Sequence, residues 1–212
     1  MRLGPILQVI VAVPELGPAV VWADATLGLA VTARGRFPRE VAMTLGSPAL
    51  VDAPCVMLGG QGAPAVLLLV ESAALPGSLR GWTGLGLQMP AADDACAVGL
   101  GLAWTLSAGP SALIAATLSS ADPASARGYY RGLGSGAPVP AAPWTLPLRD
   151  GVLRLQVAAP DPVPADARSA GHPLALILAR GSAMAELPAP PAHSLGADSE
   201  WLLLRESPVL PV

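Results

Sequence analysis

Residues 7–31 read LQVIVAVPELGPAVVWADATLGLAV. The run opens with apolar, β-branched residues and is too short to span a bilayer, which predicts a buried strand. Pro14 ends it, and Glu15 follows where the positive end of a helix welcomes a carboxylate. From Val20 the apolar residues Val20, Val21, Trp22 and Ala25 alternate with an outward Asp24, and Gly28 stands where a helix stops. The stretch therefore predicts strand, turn, helix, glycine stop and a second strand over residues 29–33.

A similar order recurs. Residues 113–134 read LIAATLSSADPASARGYYRGLG, again an apolar strand, an acidic residue (Asp122), a proline, a helix-sized segment, aromatics and a Leu-Gly stop. A second pair follows: residues 66–72 read VLLLVES and residues 201–207 read WLLLRES. Two matched features in the same order predict an internal duplication, with halves at 1–106 and 110–212.

Between these landmarks the chain reads as short elements. Residues 6–13 are a strand, 16–27 a helix, 29–33 and 40–45 strands, and 65–71 a strand. A short apolar run surrounds Cys55, and Gly59, Gly60 and Gly62 suit a hairpin before residue 65. Residues 82–89 predict a strand. Residues 90–101, opened by Asp93 and Asp94, predict a helix. Later strands are predicted over 113–119, 144–149, 152–158, 174–179 and 201–205, with Asp150-Gly151 as a two-residue hairpin turn. Helical segments are expected over 123–133 and within 161–170, and a loop over 187–197.

Composition narrows the function classes. Hydrophobic residues make up 52% and charged residues 13% of the chain, which excludes a solvated disordered polymer despite 24 Pro and 23 Gly. The net charge is −3 and lysine is absent, so there is no basic footprint for nucleic acid. No apolar run reaches the length of about 18 residues that a transmembrane helix needs, and the N-terminus makes a poor signal peptide. The expectation is a cytoplasmic protein with neither nucleic acid nor membrane as partner. Cys55 and Cys96 have no metal or disulfide spacing and predict buried free thiols. Gly-Leu-Gly occurs three times, but never as a dinucleotide fingerprint, and no Walker loop, CxxC or GxSxG is present.

In this order of strand, acidic residue, aromatic-bearing helix and Leu-Gly stop, the sequence resembles the vicinal oxygen chelate superfamily of glyoxalases, bleomycin-resistance proteins and extradiol dioxygenases. The resemblance implies an α+β fold of duplicated β-α-β-β-β modules, whose curved mixed sheets enclose a concave pocket. It places metal ligands in the first strand and at the end of the fourth, which here are Gln8 and Glu71, with Glu206 or His172 as a third. The matching position in the second half, Ala115, cannot ligate, and residues 82–89 offer only Thr83. His193 lies in a Pro-rich loop. A divalent metal (Zn, Ni, Fe or Mn) would act as a Lewis acid on vicinal oxygens, with Glu71 or Glu206 as base. Against this, Gln8 fits a strand residue hydrogen-bonded inside the sheet, and Glu71 and Glu206 fit strand-end charges in solvent. Trp22, Trp82, Tyr129, Tyr130 and Trp201 are candidates for an apolar pocket, with core packing as the plainer reading. Arg34, Arg36 and Arg39 suit an anion or a solvated turn.

Three functions follow. The leading one is a small-molecule binder of this fold without a complete metal site and with no cofactor. The second is a metal-dependent lyase, isomerase or dioxygenase using Gln8 and Glu71. The third is a subunit, such as a homodimer, that covers its apolar surplus with a partner.

Overall fold

A computed structural model describes residues 3–73, 81–90, 93–120, 124, 144–148, 151–157, 171–180 and 201–205. The first unit forms much as the opening stretch predicts. Strand β1 (Leu3–Val13) leads into helix α1 (Leu16–Leu27), and Gly28 closes the helix in the left-handed region with its N–H on the Ala23 and Asp24 carbonyls. β2 (Ala30–Arg36), β3 (Pro54–Gly59) and β4 (Ala65–Glu71) complete it. The strands lie in the order β2-β3-β4-β1, so the last strand runs parallel to the first: Val9 pairs Leu67 and Val13 pairs Glu71.

Residues 40–45 are a helix rather than the predicted strand. Helix α2 (Arg39–Thr44) follows Pro38, and a 3-10 turn (Pro48–Leu50) comes next. The extended backbone that precedes the helix suits Pro38 at its boundary, and Glu40 sits in the positive first turn. Val41 and Leu45 are spaced i, i+4, and both are buried. Burial of that stripe outweighs the weak alternation that suggested a strand.

The rest of the chain extends the same sheet. β5 (Gly81–Met89), β6 (Ala95–Gly99), β7 (Leu102–Ala108) and β8 (Ala112–Ser120) are joined by β9 (Trp144–Leu148), β10 (Gly151–Val157), β11 (His172–Arg180) and β12 (Trp201–Arg205). The result is a 12-stranded mixed sheet, strongly curled. The parallel closure of the first unit recurs: β5 lies parallel to β7, β8 to β10, and β11 to β12. β1 pairs antiparallel with β11, and β5 with β8. A single pair, Ile6 with Leu113, links β1 to β8.

The predicted helix over 90–101 is also corrected. Asp93 and Asp94 precede strand β6, which turns into β7 through Leu100 and Gly101, both at positive φ (56° and 74°). Two such residues between antiparallel strands make the tight hairpin whose twist matches a sheet. The acidic pair that resembled a helix start therefore precedes a strand. Cys55 is buried as expected, whereas Cys96 on β6 is exposed. Residues 161–170, 187–197 and most of 123–133 lie outside the described residues. Among the described residues no helix is long and apolar enough to cross a membrane.

Two apolar layers hold the sheet. One packs Ala19, Ala23 and Leu27 of α1 against Val9, Val11 and Val13, and continues to Trp82, Leu87, Trp104 and Leu118. The other, on the opposite face, packs Phe37, Val41, Ala42, Leu45 and Leu50 against Ile10, Ala12, Met57, Leu68, Ala175 and Ile177.

Candidate functional site

Gln8 lies in the middle of the sheet. Its neighbour across β11 is Ile177, and it precedes Val9, which pairs Leu67 on β4. It is 0% exposed, and neither amide atom has a hydrogen-bond partner. Gln8, Ile10 and Ala12 alternate onto the face covered by residues 37–50.

Glu71 is the last residue of β4, opposite Val13, and faces the other way. Its carboxylate accepts the N–H of Leu16, the first residue of α1, at 3.3 Å. Glu15, expected to favour this helix end, occupies the N-cap position without a side-chain bond. Glu71 thus meets the positive end of α1 from a strand 55 residues away. His172 opens β11 opposite Ala12 and is 7% exposed. Its Nδ1 has no partner, and burial pushes its pKa down.

The register keeps these groups apart. Gln8 and Glu71 stand five residues apart along parallel strands, roughly 16 Å at the usual rise, and on opposite faces. Gln8 and His172 share a face but stand four residues apart, roughly 13 Å. Ligands to one divalent ion must lie within about 2.0–2.6 Å of it. The predicted set Gln8, Glu71 and His172 therefore does not assemble into one shell and does not fit a shared metal. Among the described residues no three of His, Cys, Asp and Glu gather closely enough to hold one. Glu206 and His193 lie outside the described residues. Ala115 is buried on β8, and Thr83 is buried on β5.

Trp22, Trp82 and Trp104 belong to the core. Trp82 and Trp104 are buried, and half-buried Trp22 packs against the same layer. The Trp22 and Trp104 rings are 6.3 Å apart and tilted by 50°, within the range of favourable aromatic pairs. Trp104 Nε1 donates to the Gly99 carbonyl at 3.0 Å. A Cβ on Gly99 would collide with the Trp22 indole, so glycine there lets α1 approach the β6–β7 hairpin. Trp201 starts β12 opposite Ala175. Tyr129 and Tyr130 lie outside the described residues. Of the arginines, Arg36 donates to the Asp52 carbonyl at 3.1 Å, and Arg34 and Arg39 are exposed.

Sequence reasoning missed the cover formed by residues 37–50. Its signal was Pro38 followed by an acidic first turn and the 41/45 spacing. It also missed Leu100, a buried leucine in the left-handed region, because leucine carries no turn signature.

A curled mixed sheet, built from strands that each close parallel on a later one with a helix after the first, defines an α+β class of cupped folds. Within that class the chain has the vicinal oxygen chelate fold. Among solved structures it is similar to a proposed dioxygenase from Bacillus subtilis, with a TM-score of 0.59, 11% identity, and coverage of 85% of this chain and 71% of that one. It is also similar to a point mutant of glyoxalase I from Zea mays, with a TM-score of 0.51, 14% identity and coverage of 82% and 74%. At these identities the likeness is one of fold. No family model matches the sequence, and no curated protein is significantly similar to it.

Proposed function

We propose that this protein binds a small, largely apolar molecule in the curved sheet without a complete metal site. The observation that carries the reading is the register, which puts Gln8 and Glu71 on opposite faces and five residues apart. The glyoxalase-like and dioxygenase-like neighbours supply the cupped framework. Over β5 and β8 the face turned from the first core layer carries Gly84 and Gly86 beside Ala115 and half-buried Thr117. The side chains of that face are small, and a ligand there would meet them. A metal-dependent lyase, isomerase or dioxygenase would need Gln8 and Glu71 in one shell, and Glu71 is already engaged with α1. The reading extends to a cytoplasmic protein, acting alone or as a homodimer, although it depends on neither.

Elemental analysis of protein purified without chelators tests it. The expected result is Ni, Zn, Fe and Mn each well below one equivalent, together with a rise in melting temperature on adding a neutral, largely apolar compound to metal-free protein. Stoichiometric metal would overturn the reading.

A further inference from the structure

The unpartnered amide of Gln8 lies under a cover that the β-α-β-β-β order does not require. Between β2 and β3 the chain inserts α2 and the 3-10 turn. Side chains of the insert and its flanks, Phe37, Val41, Ala42, Leu45 and Leu50, close over the face that carries Ile10, Ala12, Ala175 and Ile177. Phe37 is fully buried, and its backbone is fixed to the far end of the insert: its N–H donates to the Ala53 carbonyl at 2.8 Å, and Asp52 N–H donates to its carbonyl at 3.1 Å. On the sheet side Gln8 meets Ile177 across β11, and the residue after it, Val9, pairs with Leu67 of β4. His172, four residues along the same face, also has an unpartnered ring nitrogen.

We infer that the hollow of the first unit is filled by the chain itself: residues 37–53 are its occupant, and Gln8 is an amide stranded in an apolar layer rather than a ligand of a metal or a substrate. A buried amide without partners destabilises a fold, and an apolar side chain of similar shape removes that penalty. The inference rests on the metal-free part of the function proposed above, and not on a ligand binding over β5 and β8.

The experiment compares the wild-type protein with Gln8→Leu by thermal unfolding, with and without added Ni²⁺, Zn²⁺, Mn²⁺ or Fe²⁺. The expected result is a melting temperature about 2–4 °C higher for Gln8→Leu, and no metal-dependent shift that the two proteins do not share. A Gln8→Leu melting temperature equal to or below that of wild type would overturn the inference. So would a metal shift present in wild type and lost in the variant. Phe37→Ala supplies a second measurement, because emptying an apolar site leaves a dry cavity that takes small hydrocarbons. Benzene is expected to raise the melting temperature of Phe37→Ala by more than it raises that of wild type. An equal benzene shift in the two proteins, or none in the variant, would show that the insert does not fill the hollow. Metal bound elsewhere would sink the proposed function and shift both proteins alike, leaving the difference between Gln8→Leu and wild type as expected here.

Discussion

His172 shows how burial alone sets a titration. Its ring is almost fully enclosed, and the residue before it abuts the β6–β7 hairpin: a Cβ on Gly171 would lie 2.8 Å from Leu100 backbone atoms. Desolvation disfavours the imidazolium, so the folded-state pKa falls below the ordinary 6.5. The unfolded chain then binds a proton more readily than the folded one once the pH drops below 6.5. This part of the stability is fully present above that value and is lost as the pH falls towards the folded-state pKa. The expected outcome is a melting temperature that declines as the pH is lowered from 6.5, with a smaller decline in His172→Phe. Melting curves across that range check it, and identical pH slopes for the two proteins would exclude the effect. Carboxylates titrate lower and shape the curve at more acid pH. Glu71 illustrates what sequence could not reveal at this scale. Its place at the end of an apolar run was legible, but its partner, the Leu16 N–H, comes from the start of the chain and is brought to it only by the pairing of β1 with β4.

At the scale of elements, the β6–β7 hairpin combines two opposed costs. Leu100 sits in the left-handed region, which costs a leucine roughly 1–2 kcal/mol, yet it is 2% exposed in the first core layer. Full burial of a leucine contributes about 1.5–3 kcal/mol, so packing holds the residue where its backbone is strained. Gly101 beside it has no such freedom to change. Its φ is 74°, and a Cβ would collide with the carbonyl oxygen of Gly171. Gly62 has nearly the same φ, 71°, but nothing within 4 Å of its would-be Cβ. Gly62→Ala is expected to cost about 1 kcal/mol, the backbone penalty alone, and Gly101→Ala about 3 kcal/mol or more, because the hairpin tip must leave β11. Urea unfolding of the two variants measures the difference, and equal losses would mean that the hairpin does not press on Gly171. The hairpin also explains a misreading. Pro90, Asp93 and Asp94 look like a helix start, and a turn of Leu-Gly lacks the Asn, Asp or Gly that usually stands before the glycine in this geometry. Elements that stood between unambiguous punctuation were legible: α1 between Pro14 and Gly28, and β4 and β12 as uninterrupted apolar runs. Gln8 was placed correctly in its strand for the same reason. Its isolation was not legible, because the cover comes from residues whose helical spacing is only six residues long.

For the whole molecule, the decisive fact is how the strands interleave. The sequence reading divides the chain near residues 106–110, but β11, from beyond that point, pairs β1, and β8 pairs β5. The first core layer draws on α1, β1, β4, β5, β7, β8 and β11 at once. Neither stretch can bury its own apolar face, because removing β11 uncovers β1 and removing β8 uncovers β5. Cooperative unfolding follows when most of the buried area is shared in this way. Calorimetry is expected to show a single transition, with calorimetric and van't Hoff enthalpies equal. A fragment ending at residue 108 should lack the fixed environment of Trp22, Trp82 and Trp104 in near-ultraviolet circular dichroism, and adding the complementary fragment should restore it. Two separated transitions, or a fragment with native-like aromatic signals, would mean that the single Ile6–Leu113 link between β1 and β8 divides two independent folding units. The prediction favours one unit because α1, although it belongs to the first unit, sets Trp22 against Trp104 of β7. Their packing couples the strands on either side of the β1–β8 link, where backbone pairing is thinnest.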